Sequence, residues 1–150
     1  MKIYVDTSVF GGCFDPEFEV WSNRLIDHFI SGKYNAVISE VSQFELNLAP
    51  PQVKKILKTI PEQHLEIVKL TDEARQLSEY YLQSKIVNRR SLSDTQHIAI
   101  ATVQNVDLLV SWNFKHIVNF DKIRLYNSVN IKYGFRMLEI RNPRDLTDEK

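Results

Sequence analysis

Ile3, Tyr4 and Val5 form a short apolar run that stops at Asp6, and beyond it the period of the pattern changes. Phe18, Trp21, Leu25 and Phe29 recur at helical spacing and end near Gly32, which predicts a helix. Residues 35–39, NAVIS, read as a second strand. Ser39 is placed to cap a helix through about Leu48, which Pro50 and Pro51 end. Residues 52–58 look helical and Pro61 opens another turn. LEIVKL (65–70) is a third strand, and Thr71 with Ala74 marks the start of a helix to about Ser84. After the polar loop NRRSLSD comes the helix DTQHIAIATVQN, then a fourth strand DLLVS (107–111). A last helix near 120–130 and a fifth strand RMLEI (136–140) close the chain. Short strands alternating with helices imply parallel strands joined by crossover helices, hence an α/β sandwich.

The 150 residues, 43% of them hydrophobic, fit one domain over 1–150 with a core that needs no disulfides. Cys13 is the single cysteine, so there is neither a disulfide framework nor a cysteine cluster for structural zinc. Asp6 interrupts the first apolar run before a signal peptide could form, and no apolar stretch approaches the ~20 residues of a membrane helix. The expectation is a cytoplasmic protein with no membrane partner. The formal net charge is zero, which excludes a polycation built for nucleic acid. The charge is uneven, however. Between Lys115 and Arg144 seven basic residues face only Asp121 and Glu139, a stretch able to touch phosphates or to be a plain solvated surface.

In an open parallel sheet ligands collect beyond the carboxyl ends of the strands, the edge where helix N-termini also lie. Asp6 follows the first strand directly. At 100° per residue, Val41, Phe44 and Leu48 make an apolar stripe with Glu45 inside it. Asp94 opens the helix before the fourth strand, and Asn113 follows that strand. Each has a plainer use: Asp6 as a turn or helix cap, Glu45 reaching solvent from the rim of the stripe, Asp94 in a capping box with Ser91, Asn113 in a turn. Together they predict an acidic cluster on one edge. Two carboxylates ~5 Å apart repel by roughly 3 kcal/mol at an effective dielectric near 20, so such a cluster calls for a proton or a cation. All-oxygen donors suit Mg²⁺ or Mn²⁺, and the chemistry they point to is metal-assisted hydrolysis of a phosphodiester.

These segments resemble the PIN-domain ribonucleases. IYVDTSVF is similar to that family's opening strand and first acid, VISEVSQFEL to its second strand and the helix bearing its glutamate, LSDTQHIAIA to the helix that begins with the third acid, and DLLVSWNFKHI to its fourth strand and following loop. The resemblance runs in order from the start to about residue 118. It implies a three-layer α/β/α sandwich around a mostly parallel sheet of about five strands, cutting RNA with Mg²⁺ or Mn²⁺. By matching position Asp6, Glu45, Asp94 and Asn113 are the catalytic set, Asp6 and Asp94 the metal ligands, and Ser111 a supporting residue near the metal. Asn113 departs from the family, many members of which have Asp there. Trp112 is expected to pack rather than stack a base, and His97 and His116 to be surface or core histidines rather than ligands. Many such domains are toxins of VapBC-type toxin–antitoxin pairs, silenced by a cognate antitoxin over the acidic pocket, and many are homodimers.

Two other readings stay open beside the nuclease. One is a catalytically weak module that binds RNA or a protein, which Asn113 favours. The other is phosphotransfer through Asp6, which Ser8 disfavours because such phosphatases carry a second Asp at that place. Near-zero net charge further predicts weak RNA binding that falls as salt rises.

Overall fold

The computed structural model describes residues 1–148. Strand β1 (Lys2–Val5) leads through Asp6 into a six-residue helix α1 (Thr7–Gly12), then α2 (Glu19–Ser31). Strand β2 (Asn35–Ser39) is followed by α3 (Glu40–Asn47) and α4 (Pro51–Lys58). A 3₁₀ turn over Glu62–His64 enters β3 (Leu65–Val68), and α5 (Asp72–Gln83) follows. After a second 3₁₀ turn over Arg89–Ser91 come α6 (Leu92–Val103), β4 (Leu108–Val110), α7 (Phe120–Lys132), β5 (Ile140–Arg141) and α8 (Pro143–Thr147).

The five strands form one sheet in the order β3-β2-β1-β4-β5, and every pairing is parallel. Successive side chains of a strand face opposite ways, so β1 feeds two cores. Ile3 and Val5 join Ala36, Ile38, Leu108 and Val110 under α1, α2, α3 and α4. Tyr4 joins Val37 and Leu109 under α5, α6 and α7. Burial on both faces is why these strands read as continuous apolar runs. The architecture is the expected three-layer α/β/α sandwich.

Several local expectations are corrected. The sheet is wholly parallel, and the fifth strand is the pair Ile140–Arg141 rather than 136–140. Helix α6 starts at Leu92, two residues before Asp94. Ser91 caps it without a side-chain hydrogen bond, so the Ser91–Asp94 capping box does not form. Helix α1, which follows Asp6, forms although its sequence TSVFGG carries two of the poorest helix formers. The stripe on α3 is not a core face: Phe44 is 67% and Leu48 76% exposed, and the fully buried residues of that helix are Ser42 and Leu46.

Other caps form as read. Ser39 accepts from the Ser42 amide while the Ser42 hydroxyl accepts from the Ser39 amide, a reciprocal box at the start of α3. Thr71 accepts from the Ala74 amide at the start of α5. No helix among the described residues is long and apolar enough to cross a membrane.

Candidate active site

The chain moves outward from β1 to β2 and β3 on one side, then returns to β4 and β5 on the other. Connections therefore diverge at the carboxyl ends of β1 and β4, where a crevice opens in such sheets. Asp6 and Ser111 each follow one of these strands. The Asp6 amide donates to the Val110 carbonyl at 3.0 Å, which carries the β1–β4 ladder one residue further and fixes the aspartate at the crevice.

Asp6 is 5% exposed and occupies the N-cap position of α1, yet its carboxylate caps no amide. Its Oδ2 accepts instead from the hydroxyls of Ser8 at 2.7 Å and Ser111 at 2.6 Å. Ser111 Oγ in turn accepts from the Asn113 amide at 2.9 Å, and Ser8 Oγ from the Trp112 amide at 3.0 Å. One oxygen of Asp6 is thus locked to α1 and to the turn after β4. The other, Oδ1, has the Nε2 of His97 at 3.6 Å.

Glu45 is half-buried on α3. Its Oε1 accepts from Thr7 Oγ1 at 2.7 Å and from His97 Nε2 at 2.6 Å. A carboxylate that is ionised can only accept, so His97 Nε2 carries the hydrogen. The ring's Nδ1 lies 2.7 Å from the Tyr4 hydroxyl, which is also 2.7 Å from Ser39 Oγ. Tyr4, His97 and Glu45 therefore form a hydrogen-bonded line from the buried face of β1 to the crevice. Burial alone drives the imidazole toward its neutral form; the bond to Glu45 and the charges of Asp6 and Glu45 overturn this and hold its pKa well above the usual histidine range. Burial likewise pushes Glu45 up, but the bonds from His97 and Thr7 and the charge of His97 bring it below its ordinary value.

Asp94, in the first turn of α6, completes the cluster. Burial first, then the charges of Asp6 and Glu45, push its pKa up to about 6, against the pull of His97 and a hydrogen bond with Asn113. The structure thus brings Asp6, Glu45, Asp94, Ser111 and Asn113 to one crevice. The sequence reading missed Tyr4 and Thr7 there, and placed His97 near the site only as a surface or core histidine. His97 is fully buried, as a core histidine would be, but it supports an acid; the available signal was its i, i+3 spacing from Asp94 on one helix face. Trp112 is packed as expected, its indole donating to Ser22 Oγ at 2.8 Å.

One atom each from Asp6, Glu45 and His97 lies within 4.8 Å of the others, a group able to hold a metal ion. Within it, His97 Nε2 is already spent on Glu45 and Nδ1 on Tyr4, so the donors left for a cation are carboxylate oxygens. Asp94 lies outside this group of three, near enough for the charges of Asp6 and Glu45 to raise its pKa. The donor set fits a hard divalent ion.

No family model and no curated protein matches the chain. Among solved structures it is similar to a toxin–antitoxin complex from Klebsiella pneumoniae, with a TM-score of 0.57 and 14% identity over 76% of this chain and 88% of the other. It is also similar to VapBC2 from Rickettsia felis bound to a DNA fragment from their promoter, with a TM-score of 0.58 and 17% identity over 95% of this chain and 98% of the other. At these identities the likeness is one of fold. The chain has a PIN-like α/β/α fold, in agreement with the resemblance read from its sequence.

Proposed function

We propose that the protein is a metal-dependent endoribonuclease acting in the cytoplasm, the toxin of a toxin–antitoxin pair. What supports this is that Asp6 and Glu45 converge on His97 at the crevice of a PIN-like sheet, with Asp94 near enough to feel both charges. Asp6 and Asp94 would hold Mg²⁺ or Mn²⁺, the hard ions that oxygen donors favour. When bound, such an ion supplies water activation near neutral pH and neutralises charge on a phosphoryl oxygen.

The chain's own residues prepare the site. Ser8 and Ser111 hold one oxygen of Asp6 and leave the other toward the crevice. Thr7 and His97 fix Glu45 so that its carboxylate stands ready to orient a water or accept its proton. Asn113 steadies Asp94 without adding negative charge, which favours one metal over two.

The fold neighbours are toxin–antitoxin complexes, and the exposed Phe44 and Leu48 flank Glu45 on α3. We assign that edge to a protein partner, a cognate antitoxin or the second copy of a homodimer. The test is cleavage of a mixed RNA pool by wild type and by Asp94→Asn, each with Mn²⁺, Mg²⁺ or chelator. Metal-dependent cleavage that disappears in the variant supports the reading. RNA binding without cleavage by wild type supports the second reading, an inactive binding module, for which Asn113 in place of an acid is the specific observation.

A further inference from the structure

The turn after β4 carries three aromatic rings that the acidic site does not use. Trp112 is 8% exposed and lies under Phe18, the rings stacked at 4.1 Å and 18°. Phe114 leans on both, its centroid 6.1 Å from Trp112 and 6.2 Å from Phe18, and remains 46% exposed. A large apolar ring in water at the end of a buried aromatic stack is costly unless something covers it.

The turn is preformed. Phe114 N donates to the Trp112 carbonyl, Ile117 N and Val118 N to the Asn113 carbonyl, and His116 N to the Asn113 side chain. The Asn113 amide donates to Ser111 Oγ, which itself donates to Asp6, so Phe114 follows directly on a residue tied to the acidic site. Its other neighbour is Lys115, whose carbonyl accepts from Lys122 Nζ at 2.8 Å. Among the described residues neither lysine is paired with a carboxylate; Lys122 Nζ also lies 3.5 Å from His116 Nδ1. The turn thus joins an exposed ring to two unpaired cations beside an acidic crevice.

We propose that the free face of Phe114 is the platform on which one nucleobase of single-stranded RNA stacks, with Lys115 and Lys122 holding the adjoining phosphate. The proposal rests on the ribonuclease reading for its substrate. Any base presents a π-face to such a ring, so the platform positions a strand without reading its sequence, and the cations supply the backbone contact. Contact with Trp112 and Phe18 holds the ring at the end of the stack.

The test measures binding in chelator, where no cleavage occurs, with a short single-stranded oligoribonucleotide carrying 2-aminopurine. Stacking quenches that probe. Phe114→Ala is expected to weaken binding about 5- to 100-fold and to abolish the quenching, with Phe114→Tyr restoring both. Lys122→Gln is expected to lower the slope of log affinity against log salt by roughly one. Unchanged affinity and quenching in Phe114→Ala overturn the proposal, as does wild type that binds no RNA. So does a Phe114→Ala variant that loses a protein partner while keeping its RNA affinity. Phe114-dependent binding by a wild type that never cleaves leaves the platform standing and removes the nuclease. Cleavage with an unaltered KM in Phe114→Ala does the reverse.

Discussion

Replacing Asp94 by Asn removes one charge from a place where three acids meet, and the surroundings set the sign of the result. With its pKa raised from 3.8 to about 6, the ionised Asp94 opposes folding above pH 6. At about 1.4 kcal/mol per pKa unit, the full cost at pH 8 is about 3 kcal/mol. The side chain is only half-buried, and solvent screening brings this to about 1–2 kcal/mol. The isosteric amide keeps an acceptor for Asn113 and breaks no capping box, because none exists. In chelator at pH 8, Asp94→Asn is therefore expected to unfold roughly 3–8 °C above wild type. Because the folded-state pKa lies above the unfolded one, folded wild type binds the extra proton between about pH 6 and 4. Its deficit against the variant shrinks as pH falls through that window. Mn²⁺ should raise the wild-type midpoint more than the variant's. Thermal unfolding followed by circular dichroism measures all three. A variant less stable than wild type in chelator at pH 8, or a gap that ignores pH, would refute the reasoning and return Asp94 to a structural role.

Tyr4→Phe deletes the hydroxyl that meets His97 Nδ1 and Ser39 Oγ. Leaving these buried groups short of a partner is expected to cost about 1–3 kcal/mol in urea unfolding, and a loss below ~0.5 kcal/mol would show the line through His97 to be dispensable. At Gly12 a methyl would lie 2.5 Å from Ser22 Oγ and 2.7 Å from Trp112 Nε1. Gly12→Ala should thus break the indole–Ser22 bond, lower stability by about 1–3 kcal/mol and alter tryptophan emission; an unchanged spectrum counts against it. Burial first, then the charge of Asp27, push the Cys13 thiol up to about 11. On the order of one thiol in a thousand or fewer is ionised near pH 7.5, so a disulfide reagent should react fast only after denaturation. Rapid native-state reaction would contradict the buried placement.

What the sequence determined is the layer order. Runs such as Ile3–Val5 and Leu108–Val110 are apolar on both faces, which admits a parallel sheet with helices on each side and little else. It also determined the edge on which Asp6, Glu45, Asp94 and Asn113 lie, because strand ends and helix starts alternate along the chain. Tertiary structure decided the rest. Periodicity made Glu45 a core-facing acid on a stripe with Phe44 and Leu48; in the fold those two face water, and Glu45 is drawn inward by Thr7 and His97, which no local pattern could show. Asp6 stands where a cap stands, yet its carboxylate is taken by the hydroxyls of neighbouring Ser8 and of Ser111, which the fold brings from 105 residues further along. Helix α1, with glycines that discourage it, forms because Val9 and Phe10 are buried and because Gly12 leaves room for Trp112. A propensity is worth a few tenths of a kcal/mol per residue, whereas burying one large apolar side chain is worth about 2 kcal/mol, so packing prevails wherever the two disagree.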